Sequence, residues 1–177
     1  MYTYKMIQQT MSFKLAAYIQ GKPTADGLAI VLPGKLDTKD YAHMQSHVDF
    51  LAERGYLALN FDPPGTWEIP GSIDLYTTTN YVKAVNELIE YFGNRQTLVK
   101  GHSRGSSVAT YVACTNPHVH AFVSIFCSLS PGAYQSAQAN GWRKRGYKVE
   151  MHAIQNGMVS LLRSSQQQQK LPRAWVK

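Results

Sequence analysis

Apolar residues fall into two kinds of pattern along this chain. Residues 28–32, 56–61 and 121–127 are nearly continuous apolar runs of strand length, and residues 12–19 alternate loosely. Short continuous runs are the mark of strands buried on both faces of a parallel sheet. Between them, apolar residues recur every three or four positions. Tyr41, Met44, His47, Val48 and Leu51 share one helical face, and Tyr81, Val82, Val85, Leu88, Ile89 and Phe92 share another. The spacing predicts helices over 41–54 and 78–92. Asp37 or Thr38 is placed to cap the first, Gly55 to end it, and Gly93-Asn94 to end the second.

Residues 97–99 form a further short strand, and residues 104–113 a further helix. Strand, helix, strand, helix, strand, helix, strand with short connections predicts an α/β fold: a mostly parallel sheet with helices on both faces. Ligands of such sheets bind at the C-terminal ends of the strands. Those ends are Pro33-Gly34-Lys35, Asp62-Pro63-Pro64-Gly65, His102-Ser103-Arg104 and Ser128-Leu129-Ser130.

The candidate chemistry sits at one of these ends. Gly101-His102-Ser103-Arg104-Gly105 follows an apolar strand and opens a helix, which is the context a G-x-S-x-G nucleophile elbow requires. A serine at the apex of a strand-to-helix turn exposes its hydroxyl, and the flanking glycines let backbones pass close by. The helix N-terminus brings N–H groups and partial positive charge beside it, which suits a developing oxyanion. The alternative is an ordinary glycine-rich turn whose serine caps the helix.

These residues resemble the α/β-hydrolase family, in particular its esterase- and lipase-like members, over residues 10–130. The elbow carries the resemblance, together with Leu32-Pro33-Gly34-Lys35, where the family places its oxyanion loop, and Phe61-Asp62-Pro63-Pro64-Gly65, which matches its Asp-x-x-Gly turn. The resemblance implies that Ser103 is the nucleophile. It also implies that the backbone N–H of Arg104 and that of Lys35, or of Leu36 beside it, form the oxyanion hole. In the family an acid and then a histidine follow the serine. After Ser103 this sequence has one carboxylate, Glu150, and three histidines, His118, His120 and His152. His118 and His120 precede a strand and belong at the opposite end of the sheet from Ser103. Glu150 and His152 would point the same way in a strand, which could orient an imidazole although it is not the family's spacing; His152 is the candidate base, and the alternative is a surface histidine in the tail. His102 is assigned to packing and Asp62 to stabilising its turn. Residues 1–130 thus read as a shortened hydrolase core and 131–177 as a basic, partly irregular segment, within which 149–162 forms a strand or short helix.

Composition narrows the function. The 177 residues suffice for one domain with a sizeable core. No run of about 18 apolar residues occurs, so no membrane span is expected. The first residues lack a signal-peptide layout, which points to the cytoplasm. Cys114 and Cys127 read as buried free thiols, and the histidines and cysteines lack ligand spacing, so neither metal nor other cofactor is expected. The first 141 residues carry ten basic and ten acidic side chains; from 142 on there are eight basic residues and Glu150, so the whole net charge of +7 lies there. A basic tail can touch nucleic acid, but it lacks the aromatic–basic interleaving used to read bases, and a solvated tail is the simpler reading. The predicted strand 121–127 has neither charge nor proline to guard a sheet edge, so self-association through it, or its coverage by the tail, is expected.

The reading is a serine hydrolase that cleaves short-chain carboxylic esters through an acyl-enzyme at Ser103. Its rivals are a catalytically impaired hydrolase fold that binds a ligand or partner, and a nucleic-acid-binding protein whose binding falls steeply with salt.

Overall fold

The computed structural model describes residues 3–68, 73–127, 147–151 and 159–163. In chain order the elements are β1 (Thr3–Gln9), β2 (Lys14–Gln20), β3 (Gly27–Leu32), α1 (Ala42–Ala52), β4 (Leu57–Phe61), a single 3₁₀ turn (Ile73–Leu75), α2 (Thr78–Tyr91), β5 (Gln96–His102), α3 (Arg104–Thr115), β6 (Val119–Ile125), β7 (Tyr147–Met151) and β8 (Val159–Arg163).

Six strands form one sheet in the order β1-β2-β4-β3-β5-β6. β2 is antiparallel to both its neighbours, and β4, β3, β5 and β6 are parallel. Alternation along the parallel strands explains why helices cover both faces. Leu28, Ile30 and Leu32 of β3, Leu57, Leu59 and Phe61 of β4 and Val99 of β5 pack with Tyr81, Val85, Leu88 and Ile89 of α2 and with Val108, Ala109 and Val112 of α3. Ala29 and Val31 of β3 and Ala58 of β4 face the other way, onto Met44, Val48 and Leu51 of α1. The chain leaves β3 through α1 to one side and returns through α2 to β5 on the other side. The C-terminal ends of β3 and β5 therefore flank the switch point, the place where sheets of this kind bind ligands.

Local differences from the sequence reading have physical causes. β1 adds an antiparallel strand that no apolar run announced; it exists through pairing with β2 across the turn in which Thr10 N–H donates to Phe13 O at 2.9 Å. The capping role expected of Asp37 or Thr38 is not taken up. Tyr41 is the N-cap residue of α1, with no side-chain cap, because Asp37 and Thr38 are engaged in the site described below. In α2, by contrast, the Thr77 hydroxyl accepts from Asn80 N–H at 3.1 Å. Cys114 is exposed rather than buried, since α3 turns Val108, Ala109 and Val112 inward and leaves Cys114 on the outer face. Cys127 is half-buried, 3.9 Å from the Ser107 hydroxyl. β7 and β8, which pair antiparallel, overlap the two ends of the stretch 149–162 read as strand or short helix.

Among the described residues no helix is long and apolar enough to cross a membrane. β6 is an edge of the six-stranded sheet, and Phe122 and Val123 on it are exposed. The boundary read at 130/131, and six of the eight basic residues after 142, lie outside the described residues.

One buried carboxylate ties α2 to the β1–β2 turn. Glu87, 8% exposed, accepts from the Thr10 hydroxyl at 2.7 Å and from Ser12 N–H at 2.9 Å. Burial alone would raise its pKa, but the hydrogen bonds from Ser12 and Thr10, with Lys83 nearby, hold it below the ordinary range. A depressed folded-state pKa means stabilisation that is complete above the unfolded pKa and lost as pH falls through the folded one. Glu87→Gln should therefore cost about 1–2 kcal/mol at neutral pH. The gap from wild type should close in denaturant titrations at progressively lower pH; a gap that widens on acidification would contradict the assignment.

Candidate active site

β5 delivers the site. Its register sets Gly101 beside Leu32 of β3 and Ser124 of β6, and His102 is its last residue. Ser103 then adopts φ 51°, ψ −114°, and α3 starts at Arg104. A positive φ at a non-glycine residue costs on the order of 1–3 kcal/mol and persists only where the surroundings dictate it. Here they do. Ser103 N–H donates to Ile125 O at 2.8 Å, and Ser103 O accepts from Ser106 N–H at 3.0 Å. The fully buried Ser106 hydroxyl accepts from Ile125 N–H at 2.9 Å and lies 2.7 Å from Gly101 O and 2.6 Å from Ile125 O. It thus joins the start of α3 to the ends of β5 and β6. Ser103 itself makes no side-chain cap to α3 and is half-buried. A capping serine does not describe it.

The two glycines of the pattern are required by close approach. A Cβ on Gly101 would run into the carbonyl of Gly105, and one on Gly105 would run into the Leu32 carbonyl oxygen and lie 2.6 Å from Pro33 O. The elbow is seated directly on the end of β3.

The loop after β3 is held from both sides. Leu36 has φ 57°, and its N–H donates to the Tyr76 hydroxyl at 3.0 Å, which in turn lies 3.4 Å from Gly34 O. The Tyr81 hydroxyl donates to Pro33 O at 3.1 Å. Burial pushes both phenol pKa values up, so both remain neutral hydrogen-bonding groups. Leu36 N–H is consequently engaged by Tyr76. Lys35 lies half-buried between these anchors. The Arg104 guanidinium stacks 4.1 Å over the Tyr76 ring, and its Nη2 lies 3.3 Å from Tyr76 O and 3.4 Å from the Thr78 hydroxyl.

A second anchor lies further along the loop. Asp62, fully buried, accepts from the Thr38 hydroxyl and from Lys39 N–H, both at 2.9 Å. The Lys39 ammonium, 1% exposed, sits 2.8 Å from Asp40, 2.8 Å from Glu68 and 3.3 Å from the second Asp62 oxygen. Burial opposes that charge, yet the three carboxylates hold its pKa above the ordinary lysine range. Asp62 does more than stabilise its own turn: it fastens the loop after β4 to the loop after β3.

His118 lies where expected. Its carbonyl accepts from Thr97 N–H at the start of β5, and His120 follows in the first part of β6, so both are at the opposite end of the sheet from Ser103. His152 lies outside the described residues, and Glu150 belongs to β7. His102 is not merely packed. Its Nδ1 lies 3.4 Å from Asp37 Oδ2, with the rings of His43 and Phe126 at 6.2 and 5.9 Å. His47 lies nearby; burial, helped by Lys100, His43 and His102, lowers its pKa. No group of three or more His, Cys, Asp or Glu side chains among the described residues is placed to hold a metal ion.

Sequence reasoning missed Tyr76, Ser106 and the Asp37–His102 pair. Tyr76, Ser106 and Asp37 stand in no motif and His102 fills a variable position of one; each acts through a partner that is distant in the chain.

Comparison of the sequence with protein families and with curated proteins finds no match. Solved structures are similar in fold. A proposed hydrolase from Agrobacterium vitis S4 is 14% identical with a TM-score of 0.69, over 92% of this chain and 68% of that one. The thioesterase domain from the curacin biosynthetic pathway is 17% identical with a TM-score of 0.65, over 85% and 55%. Alpha/beta hydrolase domain-containing protein 10 from mouse is 18% identical with a TM-score of 0.63, over 82% and 60%. The chain thus spans less than two thirds of the curacin and mouse chains. Strand order, crossover pattern and these likenesses together identify the fold of this chain as that of the α/β hydrolases.

Proposed function

We propose that the protein is a hydrolase with Ser103 as its nucleophile, acting on short-chain carboxylic esters. The observation that carries this is the strained backbone of Ser103, which is held by Ile125 and Ser106 and leaves the hydroxyl uninvolved in capping α3. Strain kept at a half-buried serine beside a helix N-terminus is the geometry of a nucleophile elbow.

In the proposed reaction Ser103 Oγ attacks the ester carbonyl carbon and its proton passes to a base, for which His152 is our candidate. The oxyanion is held by the N–H groups of Arg104 and Lys35. The C–O bond to the alcohol breaks, the alcohol leaves with the proton, and water then releases the acid from the acyl-enzyme. A thioester suits the same steps, as the likeness to the curacin thioesterase domain illustrates. Acid quench during turnover of p-nitrophenyl acetate should leave an acetyl group on the peptide carrying Ser103, seen by mass spectrometry. Acetylation spread over lysines, with none on Ser103, would remove this reading.

A second reading, a hydrolase fold that binds without turnover, is favoured by one observation. The histidines described after Ser103, His118 and His120, stand at the far end of the sheet. We further propose that β6 pairs with β6 of a second copy, since its exposed Phe122 and Val123 sit on a sheet edge. Sedimentation should then show a concentration-dependent dimer that Val123→Lys dissolves; a monomer at every concentration would rule the pairing out.

A further inference from the structure

Taking Ser103 as the nucleophile, we propose that His102 and Asp37 are positioning residues: the imidazole braces the Asp37 carboxylate, and the carboxylate holds the loop after β3 in its oxyanion-binding shape. Asp37 Oδ2 is shared by two groups that are far apart in the chain. It accepts from Gly34 N–H at 3.0 Å and faces His102 Nδ1 at 3.4 Å. A carboxylate oxygen accepts, so the proposed brace takes the His102 tautomer that carries its proton on Nδ1. The packing is close: a Cβ on Gly34 would lie 2.6 Å from Asp37 Oδ2 and 3.2 Å from His102 Nδ1, so it would displace the pair. Trp67 Nε1–H, donating to Asp37 O at 3.0 Å, fixes the same residue from its backbone.

This brace complements the hold that Tyr76 has on the other side. Gly34 N–H is drawn to Asp37 and Leu36 N–H to Tyr76. Lys35 lies between these two fixed amides, so the orientation of its own peptide is set by both. The ends of β3 and β5 are neighbours in the sheet, and the pair clamps the oxyanion loop to the strand that delivers the nucleophile. His102 directly precedes Ser103, so one short segment places both halves of the chemistry. The pair is partly exposed, at 35% for His102 and 23% for Asp37, so it adds little to stability. Its effect lies in geometry, where a misplacement of about 1 Å in a catalytic group can cost on the order of 10²-fold in rate.

The test compares His102→Leu, His102→Asn and Asp37→Ala with wild type in p-nitrophenyl acetate kinetics. His102→Leu and Asp37→Ala should lower kcat on the order of 10–100-fold with KM within about threefold, since a transition-state contact is lost. The double variant should be no slower than the slower single one. His102→Asn should recover most of the rate, because its amide N–H takes the place of Nδ1–H. A kcat for His102→Leu within about twofold of wild type, or His102→Asn as slow as His102→Leu, would overturn the proposal. Amide hydrogen exchange gives a readout that does not need turnover. In His102→Leu, Gly34 N–H should exchange about tenfold faster while amides in the middle of α2 are unchanged. If Ser103→Ala proves as active as wild type, the nucleophile reading fails, and the Gly34 exchange rate still decides whether the brace exists.

Discussion

Ser103→Ala should lower p-nitrophenyl acetate and butyrate turnover by about 10³-fold or more, to a residue set by binding and the oxyanion site. The reason is specific to this elbow. The backbone at φ 51° leaves the Ser103 hydroxyl out of any cap to α3, whereas the neighbouring Ser106 hydroxyl is buried in bonds to Gly101 and Ile125. It has no means of substituting. Alanine keeps the strained turn, since Ile125 and Ser106 grip the backbone and not the side chain, so the thermal midpoint should move little. Loss of turnover with an unchanged midpoint identifies Ser103 as the nucleophile. His152→Ala in the same assay should lower kcat on the order of 10²–10⁴-fold if that residue is the base. Turnover by Ser103→Ala equal to wild type would move binding without catalysis to first place.

Gly105→Ala should have the largest effect on stability. Its Cβ would strike the Leu32 carbonyl oxygen and lie 2.6 Å from Pro33 O, and both obstacles are main-chain atoms at the end of a buried strand. Flexible side chains could swing aside, but these carbonyls cannot. Either α3 lifts from β3 or the end of β3 bends, and both changes disturb the packing of Val108 and Ala109 on the sheet. Overpacking of this kind costs about 3 kcal/mol, which lowers the thermal midpoint of a chain this size by about 6–12 °C. Ester turnover should fall as well, because Pro33 leads directly into the loop that carries Lys35. A midpoint within about 2 °C of wild type would mean that the elbow is not seated on β3 as described.

The two effects differ in kind. The first removes the proposed reacting atom from an intact frame; the second deforms the frame. Measuring both separates chemistry at the serine from the placement of the strand ends that support it.

The sequence alone determined those features whose cause is local. Short apolar runs bounded by turn residues specified β3 and β4, and three- and four-residue spacing specified α1 and α2. Glycines two residues either side of Ser103, between a strand and a helix, specified the elbow, because no other residue type survives that close approach. Tertiary structure decided what depends on partners distant in the chain. β1 exists because β2 offers it a ladder. Leu36 N–H is spent on Tyr76, 40 positions away, and Asp37 meets His102, 65 positions away. Ser106 has no meaning in its own helix until Ile125 arrives beside it. A hydrogen bond between residues far apart in the chain leaves no period and no motif, since either residue type serves equally well in many other settings. Only the crossover that brings the ends of β3, β5 and β6 together selects which hydroxyl, carboxylate or imidazole becomes part of the site.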